Sequence, residues 1–112
     1  MSVEDMIVLT CQEYGIEPDI PLAIARLETG NFQSEGFRQC NNIGGLSENE
    51  NLFTYTNLEE GVDTFVRLLA DSYFAEGLTT PEAISKKYCP VNADGWARAV
   101  REIMEENAND KE

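Results

Sequence analysis

The sequence predicts a mainly α-helical fold in a single compact domain. The chain has 112 residues, which is the usual size of one domain. Hydrophobic residues make up 42% of it, enough to build one core. Apolar positions recur at helical spacing in about five segments, each bounded by helix start and stop signals, and one long irregular segment separates the second from the third.

The first predicted helix runs from Val3 to about Tyr14. Ser2 begins it, because a serine side chain can accept a hydrogen bond from a free N–H of the first turn, and Gly15 ends it. Cys11 follows the apolar residues of this helix, so we expect it in the core.

The second predicted helix runs from Leu22 to about Thr29, after a turn at residues 18–21. Pro21 fits the first helical position, and Gly30-Asn31 ends the helix. Its residues are apolar over most of the circumference, so we expect it to be largely buried. Glu28 breaks this apolar pattern.

Residues 31–57 contain many Asn and Gly residues and show no sustained period. An irregular stretch of this length is unusual in a compact domain unless it is functional. A short hairpin is predicted around residues 47–50, with Leu46 and residues 52–55 on either side.

Asn57 caps the third helix, and Glu60 completes a box-like capping pattern; Gly77 is the predicted end. A fourth helix begins at Thr80-Pro81 and runs to about Tyr88.

Asp94 is the predicted cap of the last helix, which has an apolar stripe of Trp96, Val100, Ile103 and Met104. We expect one domain over residues 1–104, followed by an acidic, frayed tail over residues 105–112.

Charge excludes several functions. The chain has 21 acidic and 8 basic residues and no histidine, for a net charge of −13. Nucleic-acid binding is not expected, because it needs clustered Lys and Arg. Histidine-dependent catalytic triads and histidine-ligated zinc sites are excluded. No calcium-loop spacing occurs, and we expect neither a metal nor a cofactor.

No apolar stretch approaches the ~20 residues of a membrane span, and the N-terminus lacks a signal-peptide pattern. Either the protein is made in the cytosol, or it is a mature domain whose targeting segment has been removed. Action outside the cell or at the wall would then need processing or a carrier assembly. Cys40 and Cys89 lie in predicted loops. Two alternatives stay open for them: a disulfide bond between the two, or two free thiols.

Glu28 is the candidate catalytic residue. Burial and the negative end of the helix dipole both disfavour a charged carboxyl group, and so both raise its pKa. A glutamic acid that stays protonated near neutral pH is what glycoside cleavage requires. The alternative is a surface glutamate paired with Arg26 or with solvent.

Two further groups are candidates for substrate binding. Neighbouring amides and glycines give short directional contacts and close backbone approach, which suit N-acetyl sugars, although an ordinary turn has the same composition. Aromatic residues can wall a cleft and stack on sugar faces, although each can also be core, which is the expectation for Trp96. The candidates are Asn41, Asn42, Gly44, Gly45, Phe53, Tyr55 and Tyr88.

Four segments in this order carry a resemblance to a known family: residues 24–32, 41–46, 53–62 and 83–100. Over about residues 18–104 the chain resembles the bacterial peptidoglycan N-acetylglucosaminidases (the mannosyl-glycoprotein endo-beta-N-acetylglucosaminidase type) and the soluble lytic transglycosylases of the lysozyme superfamily. The resemblance implies a lysozyme-like fold, with the irregular segment or hairpin lining a cleft that binds peptidoglycan strands.

By the same resemblance, Glu28 is the catalytic acid, Asn42 lies in the cleft-lining motif and Tyr55 is the aromatic residue of the following strand. A second acid would be Glu48 or Glu50. With a second carboxylate, water attack is expected. Without one, Glu28 acts alone and the sugar's own 6-hydroxyl or N-acetyl group attacks.

Two other functions stay open: a non-catalytic lysozyme-like module that binds glycan or protein, and an acidic helical protein with a basic partner. A charge of −13 gives no attraction to an anionic cell wall. It therefore favours delivery by a protein partner or a larger assembly, or a cleft that has lost catalysis.

Overall fold

A computed structural model describes residues 1–110. Within this range the chain forms six helices and one two-stranded antiparallel sheet. Their bounds are α1 (Val3–Tyr14), α2 (Asp19–Thr29), α3 (Glu35–Cys40), β1 (Ser47–Glu48), β2 (Asn51–Leu52), α4 (Leu58–Ser72), α5 (Pro81–Tyr88) and α6 (Ala93–Asp110). Short 3-10 turns occupy Phe74–Glu76 and Pro90–Asn92.

The predicted helix starts at Ser2, Asn57 and Thr80 are confirmed. Each side chain accepts a hydrogen bond from the N–H three residues ahead, and the helix follows at once. Glu60 closes its capping pattern by accepting from the N–H of Thr56, at 3.0 Å. The end of α1 at Gly15 is also confirmed.

Helix α2 begins at Asp19, so the predicted turn at residues 18–21 is wrong. Pro21 is the third residue of the helix, where its missing N–H removes no helical hydrogen bond. Helix α3 lies within the segment predicted to be irregular, and the hydroxyl of Ser34 caps it. A hairpin forms as predicted, but it is tighter: Ser47–Glu48, expected in the turn, form its first strand, and the turn is only Asn49-Glu50.

Two helix boundaries also differ from the prediction, the end of α4 and the beginning of α6. Helix α4 ends at Ser72, and Gly77 ends the 3-10 turn that follows. Helix α6 begins at Ala93, directly after another 3-10 turn, so Asp94 is not its cap. Residues 105–110, expected as a frayed tail, continue α6, and residues 111–112 lie outside the described range.

The helices pack in two groups around one core: α1 lies against α4, while α6 lies against α2 and α5. The core is apolar and includes Ile24, Phe65, Leu69, Ile84 and Val100. The mainly α, lysozyme-like fold class is thus confirmed. Among residues 1–110, no helix combines the length and hydropathy needed to cross a bilayer.

The three cysteines are all thiols in this structure. Cys11 is fully buried, as expected, and burial raises its pKa to about 12. Cys40 and Cys89 are partly buried and are not joined, which corresponds to the free-thiol alternative.

Candidate active site

Helix α2 ends in a tight structure immediately after Glu28. Thr29 is fully buried; its hydroxyl donates to the carbonyl of Ala25 at 2.7 Å and accepts from the N–H of Phe32 at 2.8 Å. Gly30, Asn31 and Phe32 all have positive φ, at 56°, 60° and 65°. Left-handed backbone is uncommon outside glycine, above all for a bulky residue such as Phe32. The turn stops the helix one residue past Glu28 and fixes the position of that residue.

The carboxyl group of Glu28 is partly buried and has one side-chain hydrogen bond within residues 1–110. The indole N–H of Trp96, on α6, donates to Oε1 at 2.9 Å. Burial raises the pKa of Glu28, and the hydrogen bond from Trp96 partly offsets this rise. Arg26 instead approaches Glu4, at 3.4 Å, so the expected alternative of a surface Glu28–Arg26 pair is wrong.

Gly45 covers the other oxygen of Glu28. Its φ is +65°, and a Cβ built on this residue would lie 2.5 Å from Oε2 of Glu28. Any side chain would therefore collide with the carboxyl group, in a backbone conformation that already favours glycine. The glycine lets the loop backbone lie directly against the acid.

Tyr88 holds this loop in place from α5. Its hydroxyl donates to the carbonyl of Gly44 at 2.5 Å, and its ring stacks on Trp96 with centroids 5.2 Å apart. A Cβ on Gly44 would lie 2.7 Å from the Tyr88 oxygen and 2.5 Å from the ring of Phe65. Burial raises the pKa of Tyr88 well above its ordinary value, so the phenol stays a donor. Tyr88 thus holds the Gly44-Gly45 loop beside one oxygen of the Glu28 carboxyl, and Trp96 donates to the other.

A depression of about 190 Å³ includes Gly45 in its lining, and we call it the Tyr88 pocket. Its lining residues are Gly45, Leu46, Ser47, Tyr73 and Tyr88. Gly45 is therefore shared by the pocket and the surroundings of the carboxyl group, while Glu28 itself does not line the pocket. A larger depression of about 600 Å³ lies near Arg26 and Phe37, and neither Glu28 nor Tyr88 lines it.

Asn42 is buried, with 3% of its surface exposed, and its amide bonds within the chain. The amide N–H₂ donates to the carbonyls of Leu46 and Phe53, at 2.8 and 3.0 Å. Its oxygen accepts from the N–H of Gly44 and of Leu46, at 3.3 and 3.1 Å. In this structure Asn42 therefore shapes the loop that carries Gly44 and Gly45.

Asn41 has a similar role. It ends α3 with φ +55°, and its amide donates to the carbonyl of Tyr55 at 2.9 Å. Its own carbonyl lies so close to Gly61 that a Cβ there would collide with it. Asn41 therefore joins α3 to the segment of Tyr55 and to the first turn of α4.

The other predicted site residues lie on or after the hairpin. Glu48 is in β1 and Glu50 is in the turn; both are exposed, and neither hydrogen-bonds Glu28. Phe53 is 43% exposed, and Tyr55 is partly buried. The structure thus brings Gly44, Gly45 and Tyr88 together around Glu28, while the two hairpin acids remain a prediction.

Two residues near the acid were not among the predicted site residues: Trp96, which was expected only in the core and bonds Glu28, and Tyr73, which lines the pocket. A signal for Trp96 does exist in the sequence. A buried indole N–H needs an acceptor, and a buried carboxyl needs a donor. Their separation of 68 residues, however, gives no local pattern that pairs them.

Comparison with known proteins adds to this geometry. No curated protein matches the chain. The family model described as mannosyl-glycoprotein endo-beta-N-acetylglucosaminidase (Glucosaminidase) matches residues 5–109. This range covers nearly the whole domain, including the Glu28 helix, the glycine loop and Trp96. The chain therefore belongs to the glucosaminidase family.

Proposed function

We propose that this protein is a glycosidase that cleaves peptidoglycan glycan strands, with Glu28 as the general acid. One observation carries the proposal: the Glu28 carboxyl, its pKa raised by burial, lies between Trp96 and Gly45, and Gly45 also lines the Tyr88 pocket. Family membership supports a cell-wall glycosidase at the coarser level.

The first chemical step is protonation of the glycosidic oxygen as its bond to the anomeric carbon breaks. Oε1 of Glu28 accepts from Trp96, so the acidic proton belongs on Oε2. When that proton leaves, the remaining charge is stabilised by the indole N–H, because a hydrogen bond to a carboxylate is stronger than one to a neutral carboxyl group. Trp96 thus keeps the acid oriented before the transfer and stabilises its conjugate base afterwards.

The second step has three possible nucleophiles: water, the sugar's own 6-hydroxyl and its N-acetyl group, of which the first two give the most distinct products. Water attack gives a new reducing end, with Glu28 or a hairpin acid, Glu48 or Glu50, as the base. Attack by the sugar's own 6-hydroxyl gives an anhydro sugar and consumes no water. Products of the two routes differ by one water in mass, so mass spectrometry separates them.

The pocket also bears on substrate size. Its volume of about 190 Å³ lies below the roughly 300–1,000 Å³ of pockets for drug-sized ligands. A pocket of this size suits one ring of a long strand, with the rest of the strand lying along the surface. The net charge of −13 argues against electrostatic attraction of the free protein to an anionic cell wall. It favours delivery of the protein by a partner or a larger assembly.

The test is digestion of purified sacculi by Glu28→Gln, with Glu17→Gln as the matched control at an exposed glutamate. The Glu28 variant keeps its circular dichroism spectrum and loses about 10²–10⁴-fold in turnover, as expected for loss of a general acid. The control keeps its turnover. Unchanged turnover of the Glu28 variant would refute the assignment. Strand binding with no products from the wild type would indicate the non-catalytic binding module instead.

A further inference from the structure

We propose that the depression of about 600 Å³ beside Arg26 and Phe37 is a docking groove for a basic, amphipathic segment of a protein partner. We call this depression the Arg26 groove. Its lining comes from the loop after α2 and from residues of α1, α2, α3, α4 and α6. Docking there requires no catalysis by Glu28, because that residue does not line the groove.

The groove lies on the opposite side of α2 from the proposed acid. Arg26 and Glu28 are two residues apart, which is about 200° around an α-helix. Their contacts agree with this separation: Arg26 approaches Glu4 of α1 at 3.4 Å, whereas Glu28 accepts a hydrogen bond from Trp96 of α6. A partner in the groove therefore leaves the Glu28 carboxyl open to a glycan strand.

The apolar part of the groove is built around two phenylalanines. The ring centres of Phe32 and Phe37 lie 5.5 Å apart, and both residues are only partly buried. Phe32 has a φ of +65°, which is an outlier for a bulky side chain. Backbone outliers of this kind cluster at functional sites, and aromatic residues carry much of the binding energy at protein interfaces. The pair thus offers an aromatic contact for an apolar side chain of the partner.

The charge of the lining selects the class of partner. Glu4 and Glu106 line the groove together with one cation, Arg26. A second depression of about 320 Å³ shares Glu4 and Arg26 and adds two further acids, Asp5 and Asp110. Within residues 1–110 the two depressions thus carry four carboxyl groups and one guanidinium. Lysines and arginines of a partner complement this charge, whereas an anionic glycan or a second copy of this chain, at −13, is repelled.

The cation already in the groove can give way to a cation of the partner. The ion pair between Arg26 and Glu4 is long, at 3.4 Å, and its side chains are 29% and 40% exposed. Exposed pairs of this kind contribute little to stability, because water competes for both charges. A lysine of the partner can therefore replace Arg26 beside Glu4 without loss of the fold.

The test is fluorescence anisotropy of labelled peptides with the full chain. Three peptides of about 14 residues, or about four helical turns, carry lysines on one face and leucine, phenylalanine or tryptophan on the other. Salt at about 0.15 M screens exposed charges beyond roughly 8 Å, so only nearby carboxylates contribute. At least one basic peptide is expected to bind, and its counterpart with glutamate in place of lysine is not. Failure of all three basic peptides, or equal binding of the acidic counterpart, would overturn the proposal.

Charge variants separate docking in the groove from attraction by the net charge. Glu4→Gln combined with Glu106→Gln is expected to weaken peptide binding about fivefold. The matched control, Glu13→Gln with Glu17→Gln, removes the same charge from exposed residues that do not line the groove, and is expected to leave the affinity unchanged. Arg26→Gln removes the competing cation and is expected to tighten binding about two- to fivefold. Equal losses in the two double variants, or weaker binding by Arg26→Gln, would overturn the proposal.

Two further measurements test the aromatic contact and the position of the groove. Phe37→Ala is expected to weaken binding about tenfold. Its circular dichroism spectrum shows whether the fold is kept, and the charge variants decide the question if it is not. Chitotetraose, a neutral glycan, is expected not to displace the peptide. Displacement would place the peptide in the glycan cleft and overturn the proposal, while turnover of sacculi tests the role of Glu28 separately.

Discussion

Substitution of Gly45 by alanine tests the geometry around the proposed acid. The left-handed backbone of this residue costs an alanine about 1–2 kcal/mol. In addition, the new Cβ would lie 2.5 Å from Oε2 of Glu28, so the carboxyl group must move. Movement that breaks its hydrogen bond to Trp96 costs about another 1–3 kcal/mol.

Gly15→Ala is the matched control. Gly15 has nearly the same φ, +71°, but nothing lies within 4 Å of its built Cβ. This variant should lose only the backbone contribution of about 1–2 kcal/mol. The difference between the two variants therefore isolates the contact between Gly45 and the carboxyl group.

Urea denaturation measures both free energies of unfolding, and digestion of sacculi measures turnover. Gly45→Ala should lose about 1–3 kcal/mol more than Gly15→Ala. Its turnover should fall about 10²-fold, the effect of misplacing a catalytic group by an ångström. In a Glu28→Ala background the extra destabilisation should vanish, because the colliding oxygen is gone. Equal destabilisation of the two glycine variants, with turnover retained in both, would refute this description of the site.

Three further predictions concern the acid and the hairpin. Trp96→Phe removes the hydrogen bond that lowers the pKa of Glu28, so the alkaline limb of the kcat/KM profile should move to higher pH; an unmoved limb would contradict the role of Trp96. Because the pKa of Glu28 is raised in the folded state, ionisation of this residue lowers stability as pH rises through that pKa. Glu28→Gln should therefore gain stability relative to the wild type between pH 4 and pH 8 in urea denaturation, and a pH-independent difference would be inconsistent with a buried acid. Glu50 has φ +69° in a two-residue hairpin turn, so Glu50→Gly should raise the free energy of unfolding by about 1 kcal/mol, while loss of turnover in this variant would identify Glu50 as the second acid.

Helix starts were predictable wherever the signal was local. Ser2, Asn57 and Thr80 each bond an N–H three residues ahead, and this interaction depends only on neighbours in sequence. The start of α2 was predicted wrongly from Pro21. Proline is tolerated throughout the first turn of a helix, so its presence does not identify the first helical residue. Helix α3 is only six residues long, and none of them is buried, so it has no apolar stripe to detect.

The sequence singled out Glu28 and the two glycines of the candidate site, but it did not predict the contacts between them. Glu28 is unusual among its apolar neighbours, and Gly44-Gly45 is a local signal for close backbone approach. Asn42 was expected to contact sugars directly, whereas its amide is occupied by four hydrogen bonds to the loop. The Trp96 side chain both packs in the core and donates a hydrogen bond to Glu28. The apolar stripe of the last helix predicts only the packing.

The hydrogen bond between Glu28 and Trp96 also has a consequence for synthesis of the chain. Its two partners stand 68 residues apart, and α6 supplies both the donor and much of the packing against α2. A nascent chain that has emerged only as far as α5 lacks both this donor and the packing of α6 against α2. Truncation before α6 would therefore remove the side-chain donor that holds the Glu28 carboxyl in the folded domain.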